Sequence, residues 1–195
     1  MLKNITVTDF LQEGKTLSWD LHPEVNILWG ENGSGKTVLM NAIYSANRWN
    51  NTAYLDENTT LTWERNPANP IMADYGIETL VPMSNLNHYL KDIQEHVSFN
   101  VKGRLSAGQS KLVQLLGSAL FYKTHQPDVD LIYKDVDSVL VIDDIETNLH
   151  IDIQRTIIKQ LREINPNCQL IVTTHSPSIL MGYMSEGSNI EDLLT

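Results

Sequence analysis

The chain holds one cysteine, Cys168, among its 195 residues, so no disulfide can close within it. Cations are scarce as well: 14 Lys and Arg stand against 24 Asp and Glu, a formal net charge of −10. Wrapping a nucleic-acid backbone takes clustered cations that release counterions, so this balance argues against DNA binding by the chain unaided. No apolar run approaches the ~20 residues that span a bilayer, and the N-terminus lacks the basic-then-apolar order of an export signal. A cytoplasmic protein with no membrane segment is expected. His22, His88, His96, His125 and His150 show no ligand spacing with the cysteine, and Asp128, Asp130, Asp135 and Asp137 lack the glycine and closing glutamate of a calcium loop, so neither zinc nor calcium is expected. Trp49, Tyr54, Trp63 and Tyr75 read as packing rather than base-stacking groups, because no Lys or Arg falls between Arg65 and Lys91.

What is present is a 42% hydrophobic chain, long enough to bury the core of one domain over residues 1–195. Short apolar or alternating runs at 5–10, 17–21 and 25–29 suit three strands of a meander. Val38, Leu39, Ala42, Ile43 and Ala46 recur at helical spacing, which predicts a helix over residues 35–47. Between residues 48 and 100 the pattern weakens: 61–63 and 79–81 read as strands, and 86–96 as a short helix. Leu112, Val113, Leu115, Leu116, Ala119 and Leu120 form a helical stripe, and an acidic connector over 128–137 follows. Val139 to Ile142 is apolar without alternation, the pattern of a strand buried on both faces. A helix through Ile153, Ile157, Leu161 and Ile164, stopped at Asn165-Pro166, then precedes a further strand over 169–174. Alternating strands and helices predict a mostly parallel sheet that binds ligand at its carboxyl edge.

Residues 30–37 read Gly-Glu-Asn-Gly-Ser-Gly-Lys-Thr, between a predicted strand and a predicted helix. Gly30, Gly33 and Gly35 let the backbone turn its N–H groups, including those of Asn32 and Ser34, around phosphate oxygens at the positive helix end. Lys36 is expected to reach the outer phosphates and Thr37 to bind Mg²⁺ through its hydroxyl. A glycine-rich hairpin turn would not require Gly-Lys-Thr ahead of an amphipathic helix. Asp143 leaves the buried strand at the same edge, where its carboxylate suits Mg²⁺, and Asp144 is the candidate to orient an attacking water. His175 ends the later strand and is placed to donate a hydrogen bond to a terminal phosphate. Ser106 and Gln109 fit a Ser-x-x-Gln capping box. A helix start with Ser106 and Gly108 is also an anion site, and the two readings are compatible.

In this order, phosphate loop, Leu105-Ser106-Ala107-Gly108-Gln109, acidic strand end and Thr173-Thr174-His175-Ser176-Pro177, the chain resembles the ATP-binding-cassette (ABC) ATPases. More narrowly it resembles their soluble branch, which contains SMC, RecF and OLD-type proteins. The resemblance covers about two thirds of the chain, with residues 48–101 poorly matched. It implies an α/β P-loop NTPase of ABC type, with a mostly parallel core sheet flanked by helices and an antiparallel N-terminal β element. Within it, 1–47 would be the N-terminal lobe, 48–104 a variable region and 105–195 the signature helix and closing half. It further implies that residues 33–37 bind ATP and Mg²⁺ with Asp143, and that Ser106, Gly108 and Gln109 cap the γ-phosphate held by an opposite subunit. Residues 148–150 would lie at the dimer seam.

The expected function is ATP hydrolysis that drives head dimerisation and gates a separate effector, with DNA maintenance or anti-phage defence as the setting by analogy. Three departures stand out. Asp144 occupies a position that usually carries glutamate, which makes slow hydrolysis, or assistance from Glu146, part of the expectation. No glutamine matches the family's glutamine loop. Only 19 residues separate Asn85 from Leu105, where SMC-type relatives insert long arms. The alternatives are an ATP-binding sensor with negligible turnover and, behind it, a small-molecule P-loop kinase.

Overall fold

The structure, a computed structural model, describes residues 1–46, 58–63, 77–124, 139–183 and 187–194. Strands β1 (Leu2–Val7) and β2 (Leu17–Asp20) pair antiparallel, with Ile5 opposite Trp19 and Val7 opposite Leu17. Buried and exposed residues alternate along β2, and buried and half-buried ones along β1 from Asn4 to Val7, after a register shift between Leu2 and Asn4. Strand β4 (Thr59–Trp63) pairs antiparallel with the other side of β1, giving the order β2-β1-β4.

The third strand of the expected meander does not join this sheet. Strand β3 (Val25–Trp29) is buried at four consecutive positions, so it needs cover on both faces, as the interior of a parallel sheet supplies. It lies between β7 (Gln169–Thr174) and β8 (Gly187–Asn189), parallel to both. With β5 (Ile77–Glu78) and β6 (Val139–Ile142) the five-stranded parallel sheet has the order β5-β6-β7-β3-β8.

The two faces of that sheet sort by period two. Leu28, Val139, Val141 and Ile171 face the cluster built from β1, β2 and helix α1 (Lys36–Ala46). Ile27, Leu140, Ile142, Leu170 and Val172 face the opposite cluster, with α3 (Ala107–Thr124) and α5 (Ile157–Ile164). Gln169 ties the layers together, because its amide donates to Leu2 O and His22 O while its Oε1 accepts from Leu2 N.

Three further expectations shift. Residues 79–81 are not a strand. The Ser118 hydroxyl accepts from Val81 N, Gln114 donates to Val81 O and Tyr122 donates to Thr79 O, so side chains satisfy this backbone in place of a ladder. The helix expected over 86–96 is a 3-10 turn, Met83–Tyr89, followed by α2 (Leu90–Gln94). The helix through Ile153 breaks into α4 (Ile151–Gln154) and α5 at Thr156, whose φ of −118 leaves the helical range. Helix α6 (Pro177–Gly182) follows β7. The expected connector over 128–137, with Trp49, Tyr54, Tyr75 and His125, lies outside the described residues. Among the described residues no helix is long and apolar enough to cross a membrane.

Candidate functional site: a phosphate loop facing an acidic strand end

Strand β3 delivers the chain to Gly30 at the carboxyl edge, and α1 begins six residues later at Lys36. Gly33 and Gly35 take φ of +84° and +97°, a region closed to most side chains. At Gly35 a Cβ would also stand 2.7 Å from Leu11 Cδ1, so this backbone passes directly beneath the turn after β1. Lys36 is buried, with Nζ donating to Gly30 O at 2.9 Å and Glu31 O at 2.8 Å. The ammonium thus closes the loop around a hollow of about 280 Å³, lined by Asn32, Gly33, Gly35, Lys36, Thr37 and Asp144, with Leu11 and Val38 at its side. Ser34 Oγ is the one buried side-chain oxygen or nitrogen without a partner among the described residues. An unpaired hydroxyl, an ammonium, the Thr37 hydroxyl and a helix N-terminus make a donor set that fits a polyphosphate with its divalent cation.

Because β6, β7 and β3 are consecutive neighbours, their carboxyl ends bring Asp143, His175 and Gly30 to one edge. Thr173 is the hinge of this edge: its hydroxyl donates to Asp143 Oδ1 at 2.5 Å and accepts from Asp144 N at 2.8 Å. Asp144 has φ of +44°, a left-handed geometry that aspartate tolerates better than longer side chains, and it lines the phosphate-loop hollow. Asp143 is not among the residues lining that hollow. Glu146 is 5% exposed, and its carboxylate accepts from Thr174 Oγ1 and from His175 N, both at 2.8 Å. His175 Nδ1 lies 2.8 Å from Glu146 Oε1 and 3.7 Å from Asp144 Oδ1. The imidazole lines a second hollow of about 350 Å³ with Gly30, Glu31, Asn32 and Trp29.

Ser106 and Gln109 do form the reciprocal capping box: Ser106 N donates to Gln109 Oε1 at 2.9 Å and Gln109 N to Ser106 Oγ at 3.3 Å. A Cβ on Gly108 would stand 2.4 Å from Asn148 O, so the helix start is pressed against the loop that follows the acidic strand end. Asn148 holds φ of +64° there and is exposed, as are Ser106 and His150. Ser106, Gly108 and Gln109 line neither hollow. Gln94 is taken up by the turn ahead of this helix, donating to Val97 O and Phe99 O and accepting from Val101 N. It has no place at the hollows.

Three side chains have contacts here that the motifs do not assign. Thr173 and Thr174 end a buried strand, and their hydroxyls hold the carboxylates of Asp143 and Glu146 and the backbone N–H of Asp144. Lys111, one turn into α3, lies half-buried in the field of Asp144, Glu146 and Asp143. Burial pushes its ammonium below the ordinary lysine pKa, and the three carboxylates pull it back up. Asp144, Glu146 and His175 also bring one ligand atom each within 4.8 Å of the others. Spacing in sequence does not flag that grouping.

The lowered value at Lys111 has a testable sign. A lysine depressed in the fold carries its penalty while it is charged, and stability is regained as pH rises through the folded value toward the unfolded one. Lys111→Met is therefore expected to melt above wild type at neutral pH, with the gap narrowing as pH is raised toward 10.5. Thermal unfolding across pH measures this, and a gap that widens with pH would contradict the assignment.

Residues 88–181 match the protein family described as "AAA domain, putative AbiEii toxin, Type IV TA system". Among solved structures the chain is similar to a protein of Pyrococcus furiosus described as a "Putative ABC transporter (ATP-binding protein)", at 18% identity and a TM-score of 0.63, covering 99% of this chain and 100% of that one. It is similar to the SMC head domain from Thermotoga maritima at 15% identity and a TM-score of 0.51, covering 93% and 91%. A third similar structure is an SMC head bound to the "C-winged helix domain of ScpA", at 11% identity and a TM-score of 0.54, covering 93% and 91%. The parallel sheet, the antiparallel N-terminal sheet and the loop that joins strand to helix are thus those of the ABC-type ATPase head, a P-loop NTPase fold shared with SMC heads.

Proposed function

We propose that the chain binds ATP with Mg²⁺ in the phosphate-loop hollow, and that two copies close around two nucleotides, each completing the other's site. The observation that carries this is the separation between two halves of one binding set. The hollow holds Lys36, Thr37 and Asp144, while an exposed Ser106 and a half-buried Gly108 stand at another helix start, braced on the 148–150 loop. A second copy, related by a two-fold axis, would bring its Ser106 to this hollow and receive the same in return. On this reading residues 1–195 act as one unit, with 1–47 holding the phosphates and 105–195 supplying the signature helix and the acidic edge.

When bound, Mg²⁺ would supply charge neutralisation across the outer phosphates, and Thr37 and Asp143 are the residues to hold it. Asp144 would orient water from within the hollow, and His175 and Glu146 would support it from the neighbouring strand end. Closure on ATP and release after hydrolysis would then be passed to a separate effector. The SMC head in complex with a ScpA domain is one protein in which this fold carries a partner. The toxin–antitoxin description of the matched family favours a defence setting, with DNA reached through the effector rather than through this acidic chain.

A sensor that holds ATP with little turnover is a second reading, favoured by one feature. Asp144 falls about 1.5 Å short of a glutamate and is fixed by a left-handed backbone. If the enzyme is built around the aspartate, Asp144→Glu changes phosphate release by less than about threefold, since added reach is offset by strain at positive φ. A gain of tenfold or more in that assay, roughly 1.4 kcal/mol of barrier, would instead establish the sensor.

A further inference from the structure

Glu146 is buried, and both of its carboxylate oxygens are engaged by neighbouring groups. One carboxylate oxygen takes the Thr174 hydroxyl, and the other takes His175 N and faces His175 Nδ1, each at 2.8 Å. Thr174 is itself fixed, because its oxygen accepts from Ser176 N at 2.9 Å. A carboxylate can only accept, so the ring nitrogen against it carries the proton, and in the neutral form of the imidazole the lone pair is on Nε2, across the ring from Glu146.

Resting on the ATPase reading above, we propose that Glu146 is a positioning residue that locks His175 in the Nδ1–H tautomer, so that Nε2 serves the cleft beside the phosphate loop as a hydrogen-bond acceptor for water. This changes the role expected of His175. Phosphate oxygens offer only lone pairs, and a neutral ring whose Nε2 is bare has no proton to give them. A water donating to Nε2 turns its own lone pair away from the ring. The His175 side chain is 49% exposed while that of Glu146 is 6% exposed, the arrangement of a buried anchor with its working group at the surface. Asp144 Oδ1, 3.7 Å from Nδ1, is then left to contact water or cation rather than to orient the ring.

Nitrogen-15 spectra of the imidazole in the nucleotide-free full chain, at a pH where the ring is neutral, read the tautomer directly. Wild type is expected to show a protonated Nδ1 and an unprotonated Nε2 at His175. Glu146→Gln keeps an accepting oxygen and is expected to keep the tautomer, whereas Glu146→Leu is expected to release it toward Nε2–H. A wild-type ring with its proton on Nε2 overturns the proposal even if the leucine variant fails to fold, and an unchanged tautomer in folded Glu146→Leu does so as well. Where ATP is turned over, the leucine variant is expected to lose about tenfold or more in kcat with KM unchanged, a loss within the usual range for a positioned proton acceptor. A tautomer released without loss of kcat would remove the water-orienting role. Because the spectra need no nucleotide, absent ATPase activity would defeat the function reading while leaving the tautomer assignment standing.

Discussion

Lys36→Ala is expected to weaken ATP binding by at least about a hundredfold while leaving the fold intact. The wild-type ammonium donates to two loop carbonyls, Gly30 O and Glu31 O, which sets the charge inside the phosphate loop. Hydrogen bonds to a charged group contribute about 1.5–3 kcal/mol each, so losing the ammonium from the outer phosphates costs roughly 3 kcal/mol, about two decades in affinity. The loop would also lose its closing tether. Its glycines, at φ of +84° and +97°, would still shape the turn, so circular dichroism is expected to match wild type. Calorimetric titration with ATP and Mg²⁺ measures the change, and an affinity within a few-fold of wild type would mean that nucleotide does not sit in this loop.

Gly108→Val has the second largest expected effect, and for a different reason. Even a methyl group at this position would stand 2.4 Å from the carbonyl oxygen of Asn148, a backbone atom that cannot rotate away as a side-chain tip can. The helix start or the 148–150 loop must move, and the loop is already held at φ of +64°. Overpacking of this kind costs about 1–3 kcal/mol, with further strain from relocating the loop. Urea unfolding is expected to show a loss in that range, and ATP-dependent association is expected to disappear while a single copy still binds ATP. Retained association in this variant would contradict the role given to the seam between signature helix and acidic loop.

Much of this was legible in the residues themselves, where one local rule dominates. Strands β3, β6 and β7 are centred on their apolar runs, because burial on both faces favours apolar residues, and the polar side chains they bury, Asn26, Gln169, Thr173 and Thr174, are hydrogen-bonded. The phosphate loop is fixed by glycines at positive φ, and the capping box by Ser106 and Gln109, all within a few residues of one another. What stayed hidden depends on partners distant in sequence. The absence of a strand over 79–81 follows from Ser118, Gln114 and Tyr122 on a helix tens of residues away. The assignment of β3 to the parallel sheet follows from β7, 145 residues later at Val25 opposite Leu170. The role of Glu146 follows from Thr174 and His175, which no local spacing connects to it.

The shared pocket is tested most directly by light scattering behind size exclusion, with a non-hydrolysable ATP analogue and Mg²⁺, on wild type and on Ser106→Asp. Aspartate caps a helix as well as serine does, so the fold is preserved, but it would set a negative charge against the triphosphate of the opposite copy. The account predicts a nucleotide-dependent dimer for wild type and a monomer for the variant under the same conditions. A wild-type chain that binds the analogue yet stays monomeric, or a Ser106→Asp chain that dimerises as readily as wild type, would contradict it.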